Sequence, residues 1–364
     1  PCHSANAKLP KPKEKWIRVE TANFTIFSNA PEKKTTRASA NLEQLRAVLQ
    51  TLFGGMSFIA PVPTYIFVFD DAKSFAPYTL YYQGKPKELG GYFASGPYAN
   101  HVAIVGNQDR TDVSSTVYHE YLHYVLSANT PGLPLWLNEG LAEFYSSFYI
   151  EDGVAKIGYP VGNHIRWLRD HSLIPIEELV AIGRDSPDYN EGTRRGSFYA
   201  QSWALTHMLI LDRPDGASRT AAYIDLLERG VADDQAFQRA FGATTTEIGK
   251  ELRRYVEARR MRFINMPVAD IAKSSSTVTS MTYAEALQHL GSLLTSRGPE
   301  RHGAAAEHFR VSLEHDPANG PALAGLGRID ELADRDDAAL ALYRRAAKLA
   351  PDDFMVQFLL GNLL

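Results

Sequence analysis

Two histidines spaced four residues apart are the side chains of this sequence best suited to hold a metal ion. His119 and His123 stand in the stretch SSTVYHEYLHYVLSAN, where apolar and aromatic residues recur at helical spacing. In a helix this spacing puts both imidazoles on one face, one turn apart, so that both can reach the same ion. Glu120 points about 100° away from His119, where its carboxylate can touch a water molecule on the ion without binding the ion. The alternative is an ordinary helix with two packed histidines, since so short a pattern also arises by chance.

The next predicted helix offers a third ligand. A catalytic zinc site takes three protein ligands and keeps one position open, and two histidines supply only two of them. Glu139, in the stretch NEGLAE, follows His123 by fifteen residues, and the intervening PGLP turn should fold its helix back against the first. Glu143 lies one helical turn further on the same face, where it is placed to accept the outer N–H of His119. The alternative for Glu143 is a carboxylate that faces solvent.

HEYLH followed by LWLNEGLAEFY resembles the metal-binding sequences of gluzincin metallopeptidases. The LNEG form is similar to that of the aminopeptidase-N branch and of bacterial peptidase MA-like domains, and the resemblance covers residues 14–265. It implies a zincin-like fold and a zinc-dependent peptidase that acts on a peptide or protein substrate. It also implies Zn²⁺ as the cofactor, with Glu120 as the general base and with three metal ligands: His119, His123 and Glu139. The thermolysin branch carries an acid at the Glu143 position as well.

Tyr199 matches a further element of this resemblance. In the aminopeptidase-N branch, a tyrosine at this distance from the glutamate ligand stabilises the oxyanion, and Tyr199 in SFYAQSWALTHML stands sixty residues after Glu139. A phenol suits that role because its hydroxyl can donate to an oxygen that gains charge only in the transition state. The alternative is an aromatic residue of the core, in a chain that has 18 tyrosines.

One departure from the aminopeptidase pattern bears on the expected substrate. That branch has a G-x-M-E-N element whose glutamate holds the free amino terminus of the substrate, but here the corresponding stretch is GGYFASGPYANHVAIV, without an acid. We therefore predict cleavage within a peptide chain, with the strand at 101–106 available to pair with the substrate through its backbone. The alternatives are an aminopeptidase that uses another carboxylate, and a catalytically weak, zinc-stabilised scaffold that acts through its C-terminal repeats.

The C-terminal part of the sequence repeats with a period of 34 residues. Pro317 and Pro351 are one period apart, and aromatic and small residues precede them at the same two distances. These residues are Phe309 and Ala305 before the first proline, and Tyr343 and Ala339 before the second. The pattern resembles the tetratricopeptide repeat, with two full units and a third that stops after FMVQFLLGNLL. The resemblance implies a protein partner, or presentation of substrates; the alternative is an ordinary helical hairpin.

The remaining pattern predicts an α+β fold. Strands are predicted at residues 15–28, 64–70 and 101–106 with one helix at 32–53, and from residue 113 the pattern is helical almost throughout. We predict a zincin-like catalytic domain at 14–265, a linker at 266–282 and an all-α solenoid of tetratricopeptide repeats at 283–364.

Composition limits the possible partners. A formal net charge of −4 gives no basic field, so no nucleic-acid partner is expected. The single cysteine rules out a disulfide within the sequence and a cysteine-rich metal site, which leaves histidine and carboxylate as ligands. No apolar run approaches the ~20 residues that span a bilayer, so no transmembrane segment is expected. For the compartment, a bacterial periplasm or the cell exterior is favoured over the cytoplasm.

Overall fold

The computed structural model describes residues 8–58, 62–82, 85–87, 89–94, 96, 98–106, 113–268 and 275–364. Within these ranges the chain is a mixed α+β fold, as the sequence predicts. The strands are β1 Trp16–Glu20, β2 Thr25–Ser28, β3 Thr64–Phe69, β4 Tyr81–Tyr82, β5 Lys85–Pro86, β6 Gly91–Ala94, β7 Asn100–Val105, β8 Tyr149–Glu151, β9 Val154–Ile157, β10 Ile264–Pro267 and β11 Thr277–Met281.

Helices form most of the chain after residue 113. The helices are α1 Glu32–Leu52, α2 Ala72–Phe75, α3 Val113–Asn129, α4 Leu135–Ser146, α5 Gly162–Asp170, α6 Ile176–Ala181, α7 Pro187–Asn190, α8 Gly192–Leu211, α9 Gly216–Glu228, α10 Asp233–Phe241, α11 Thr245–Glu257, α12 Tyr283–Thr295, α13 His302–His315, α14 Gly320–Glu331, α15 Asp336–Leu349 and α16 Phe354–Leu363. In the part of the chain that the structure describes, none of them has both the length and the apolar character needed to cross a membrane.

Contacts within the chain define two compact units. The sheet unit comprises residues 1–40, 61–113 and 274–364, and the helical unit comprises residues 41–60 and 114–273. The sheet unit therefore combines the main sheet with the C-terminal helices, although the sequence-based domain boundaries separate them. Residues 277–281, which lie in the predicted linker, form β11 and pair with β1 in the main sheet.

The main sheet of the sheet unit has six strands in the order β11-β1-β2-β3-β7-β6. β2, β3 and β7 are parallel, while β11, β1 and β6 pair antiparallel with their neighbours. The strand predicted at 101–106 is thus enclosed between β3 and β6, which use the hydrogen-bonding groups on both of its sides. The prediction that this strand pairs with a substrate is therefore wrong. The edge position beside it belongs to β6, a four-residue strand.

Aromatic residues build the core of the sheet unit. Phe69 packs edge-on against Trp16, with ring centroids 5.8 Å apart, and stacks on Tyr78 at 5.1 Å. The same core includes three buried leucines of α12 and Phe309 of α13. The first pair of C-terminal helices is therefore part of the packing of the sheet, and its buried face is not available to a partner.

Small residues let the C-terminal helices pack in pairs. A Cβ atom at Gly291 of α12 would lie 2.7 Å from the Phe309 ring, and one at Gly327 of α14 would lie 2.7 Å from the Tyr343 ring. Real Cβ atoms do not approach so closely, so glycine is needed at both positions, where an aromatic ring of the next helix packs. In each pair of helices a glycine thus leaves room for the aromatic residue of the 34-residue pattern.

The helical unit packs around α4 and α8. A Cβ at Gly140 of α4 would clash with the Thr206 hydroxyl and the Ser202 carbonyl of α8. Glycine at this position therefore allows the two helices to approach closely, directly beside Glu139. Trp136 of α4 and Trp203 of α8 are fully buried in this unit, so the helices around residue 139 rest on a rigid core.

Candidate metal centre

The helix that carries the two histidines, α3, is fixed by its apolar face and by its C-terminal end. Tyr121, Leu122 and Val125 are buried along it. At the end of the helix, the Asn129 side chain donates to the Ser57 carbonyl at 2.8 Å and accepts from the Ser57 backbone N–H at 2.6 Å. These contacts hold the histidine-bearing face of α3 in one orientation.

A short turn after α3 reverses the chain and starts α4. The Thr130 hydroxyl donates to the Leu126 carbonyl at 3.0 Å, and Gly132 adopts a φ of 102°, which favours glycine. Pro134 immediately precedes the first residue of α4. This turn brings Glu139 of α4 to the face of α3 that carries the histidines, as the PGLP stretch predicts.

Three donor atoms converge at the centre of this site. Nε2 of His119 lies 3.0 Å from Nε2 of His123, and each of these nitrogens lies 3.3 Å from Oε2 of Glu139. Bonds of about 2.0–2.1 Å from zinc to nitrogen and oxygen make the edge of a coordination tetrahedron about 3.3–3.4 Å long. The triangle therefore has the size of one tetrahedral face, and a single ion could contact all three atoms with its fourth position open.

The burial of Glu139 supports the same interpretation. The residue is 2% exposed, and Oε2 has no hydrogen-bond partner among the described residues. A buried carboxylate oxygen costs free energy unless a proton on a neighbouring imidazole or a cation compensates its charge. A divalent cation would remove that cost, so the residues present fit a bound Zn²⁺.

The charges in the site favour cations. Burial lowers the pKa of His119, but the neighbouring carboxylates, chiefly that of Glu139, outweigh it and raise this pKa to about 10. Burial raises the pKa of Glu139, but the adjacent imidazoles outweigh it and hold this pKa well below its usual range. Without a metal, the site thus stabilises positive charge by retaining a proton, and a metal ion would compete with that proton.

Glu143 lies behind His119, as the sequence predicts. Its Oε1 is 3.4 Å from Nδ1 of His119, the nitrogen that faces away from the triangle. Its Oε2 lies 3.0 Å from Nε2 of His164, on α5. Glu143 therefore connects a candidate ligand to a second histidine. Sequence reasoning missed His164 because it follows a hairpin, and no spacing rule relates it to α3 or α4.

Glu120 is buried beside the same centre, 7% exposed. It is close enough to help raise the pKa of His119 and that of Tyr199. The carboxylate is therefore near both a candidate ligand and the candidate oxyanion donor, while it stays outside the group of residues that could hold the metal.

Tyr199, near the start of α8, is also brought to the site. Its ring centroid lies 6.3 Å from that of His119. Burial, reinforced by Glu139, raises the pKa of Tyr199 well above its ordinary value. The hydroxyl therefore keeps its proton at all physiological pH values and can act as a hydrogen-bond donor.

Tyr189, on α7, is a second residue of the site that the sequence did not predict. Its hydroxyl donates to Oε1 of Glu139 at 3.0 Å, and its ring stacks on Tyr199 with centroids 5.9 Å apart. Burial raises the pKa of both tyrosines, and the negative charge of Glu139 adds to this effect at each of them. The only signal in the sequence was an aromatic residue in an irregular loop.

The site thus combines a triangle of metal-binding atoms, a buried carboxylate and a protonated phenol. In comparisons with known proteins, no family model matches this sequence, and no curated protein matches it.

Proposed function

We propose that this protein is a zinc-dependent peptidase of the gluzincin type that cleaves within peptide chains. The observation that carries the proposal is the position of Glu139 Oε2, which is buried and lies 3.3 Å from the Nε2 atoms of both His119 and His123, with no hydrogen-bond donor to it among the described residues. Two neutral imidazoles and one carboxylate would leave a divalent ion with a net positive charge. When bound there, Zn²⁺ supplies Lewis acidity, which lowers the pKa of water and polarises a carbonyl group.

The protein residues then carry the proton and the developing charge. Glu120 accepts a proton from the attacking water and passes it to the leaving amine as the peptide bond breaks. Tyr199 turns its hydroxyl towards the carbonyl oxygen of the substrate and stabilises the negative charge that forms there. Glu143 orients His119 through Nδ1, so that Nε2 faces the triangle.

One feature of the sequence favours an endopeptidase over an aminopeptidase. The stretch GGYFASGPYANHVAIV, which corresponds to the G-x-M-E-N element, contains no acid that could hold a free amino group. Acetyl-blocked and free peptides of the same sequence should therefore be cleaved at similar rates. Strong preference for the free peptide would favour an aminopeptidase with a carboxylate from elsewhere.

The C-terminal helices are proposed to be tetratricopeptide repeats that bind a protein partner or the substrate. The pairs of α12 with α13 and of α14 with α15, with an aromatic ring on a glycine in each, support this. Any partner would have to use the faces that the sheet leaves exposed, because the sheet core already covers part of α12 and α13.

The deciding experiment replaces Glu120 by glutamine. Glu120→Gln keeps the size of the side chain but removes the base, so we expect zinc content to stay at one per chain and the rate of peptide hydrolysis to fall about 10²–10⁴-fold. The matched control is Glu178→Gln, a solvent-exposed glutamate on α6, which should keep full activity. Undiminished hydrolysis by Glu120→Gln would rule out the mechanism. Zinc-loaded wild type without any peptidase activity would favour the scaffold alternative.

A further inference from the structure

The two carboxylate oxygens of Glu139 have different surroundings. Oε2 faces the two imidazoles and has no hydrogen-bond donor among the described residues, whereas Oε1 accepts from the Tyr189 hydroxyl at 3.0 Å. A carboxylate can bind zinc through one oxygen or through both. Because Oε1 already accepts a hydrogen bond and is held in place by it, Oε2 is the oxygen that is placed to bind the ion.

Tyr189 is itself held rigidly. Its ring packs edge-on against Phe198, with centroids 5.8 Å apart and an interplanar angle of 87°, and stacks on Tyr199 at 18°. The short loop that carries it is braced by the Asn190 side chain, which donates to the carbonyls of Arg184 at 2.7 Å and Ser186 at 2.9 Å. A donor fixed in this way restricts the rotation of the carboxylate that it contacts.

We propose that Tyr189 is a positioning residue for the metal centre, which orients Glu139 so that a single oxygen, Oε2, binds the ion. This inference rests on the zinc site of the proposed function, but it does not depend on whether the site cleaves peptides. The Tyr189 ring also stacks on that of Tyr199, so the same residue contacts both a candidate ligand and the candidate oxyanion donor.

The first test is the affinity of the whole 364-residue chain for zinc. Tyr189→Phe removes one hydroxyl and keeps the stacked ring, so we expect the dissociation constant for zinc to rise about 10–100-fold. Competition with a chromophoric chelator measures this constant without reference to activity. The matched control is Tyr223→Phe, because the Tyr223 hydroxyl also donates to a carboxylate in the helical unit, that of Asp233, at 2.5 Å. That variant should bind zinc as tightly as wild type.

A double-mutant cycle separates positioning from a general effect on folding. In Glu139→Ala the carboxylate is gone, so adding Tyr189→Phe should lower zinc affinity no further. The proposal would be overturned if Tyr189→Phe lowered zinc affinity by the same factor with and without Glu139. It would also be overturned if Tyr189→Phe bound zinc as tightly as wild type, or if Tyr223→Phe lost as much zinc affinity as Tyr189→Phe. Full zinc affinity without hydrolysis in wild type would reject the peptidase but leave this test valid. A wild type that binds no zinc would reject both.

Discussion

The histidines of the candidate metal centre and two histidines of the sheet unit, His101 and His289, lie in opposite surroundings. His119 and His123 face carboxylates, which raise the pKa of His119 to about 10 although burial opposes this. His101 on β7 and His289 on α12 face aromatic rings: His101 lies over Phe67 at 6.2 Å, and His289 stacks on Phe27 at 3.9 Å.

Burial lowers the pKa of His101 and that of His289 to about 3, with the positive charges of Arg297 and Arg18 adding to the effect. These two histidines are therefore neutral aromatic residues of a core. The comparison shows that the chemistry of a buried histidine depends on the acids placed around it. Among the described residues, a carboxylate, that of Glu139, lies close to both rings of the pair His119 and His123, and none is grouped in this way with His101 and His289.

The largest expected difference between the pairs is in metal binding. His123→Ala removes a ligand, so zinc affinity should fall by more than the roughly 100-fold that loss of an outer hydrogen-bond partner can cost. His289→Phe, which keeps the stack on Phe27, should retain one zinc per chain. Metal analysis after dialysis measures both variants. If His289→Phe lost its zinc, or if His123→Ala kept it, the claim that His119 and His123 bind the metal while His101 and His289 do not would be contradicted.

A smaller effect on metal binding is expected from the acid behind His119. Glu143→Ala leaves Nδ1 of His119 without its carboxylate neighbour, and zinc affinity should fall about 10–100-fold. Glu178→Ala, on an exposed part of α6, is the control and should bind zinc normally. Chelator competition gives both constants. Unchanged affinity in Glu143→Ala would mean that Glu143 is only a surface carboxylate.

Acid should destabilise the protein through His101. Its pKa is about 3 in the folded chain and about 6.5 in the unfolded chain, so the unfolded chain binds the proton first as the pH falls. This histidine should therefore lower the free energy of unfolding by about 1.4 kcal/mol per pH unit between about pH 6.5 and 3. The free energy of unfolding, measured by urea denaturation at several pH values in this range, should depend less steeply on pH in His101→Leu than in wild type. An identical slope would show that His101 is not buried in its neutral form.

Alkali should destabilise the protein through His119, so the free energy of unfolding should fall as the pH rises, and less steeply than it falls in acid through His101. The pKa of His119 is raised to about 10 in the folded, metal-free chain, so its stabilising contribution is complete below about pH 6.5 and is lost as the pH rises towards 10. Because the titrations of His119 and Glu139 are coupled, the loss extends over a wider pH range. The free energy of unfolding should therefore fall by less than about 1.4 kcal/mol per pH unit. Thermal denaturation with a chelator should show the decline, and added zinc should abolish it. A decline that persists with zinc would contradict the assignment.

Periodic features of the sequence predicted much of the fold and of the site. The helix expected at 32–53 is α1, Glu32–Leu52, and the spacing of His119, His123 and Glu139 correctly indicated that they meet. These predictions succeeded because helical periodicity and a short turn fix the relative positions of residues close in sequence. Whether the site binds zinc and cleaves peptides stays a prediction.

Contacts between segments distant in sequence could not be predicted in the same way. β6 is four residues long, contains a glycine and has no alternating pattern, so the strand at 101–106 was wrongly expected to be available for pairing. Tyr189 and His164 reach the site from segments whose paths depend on packing rather than on periodicity. β11 was hidden because its sequence, TVTSM, is largely polar and lies mostly exposed at the edge of the sheet.

The pairing of β1 with β11 has a consequence for biosynthesis. The partner strand of residues 16–20, residues 277–281, leaves the ribosome only after the entire helical unit has been made. At about 5–20 residues per second, this delay is roughly 13–50 s. During that interval the nascent chain carries an unfinished sheet with an open, aggregation-prone edge at β1, so we expect chaperones to protect this edge during translation.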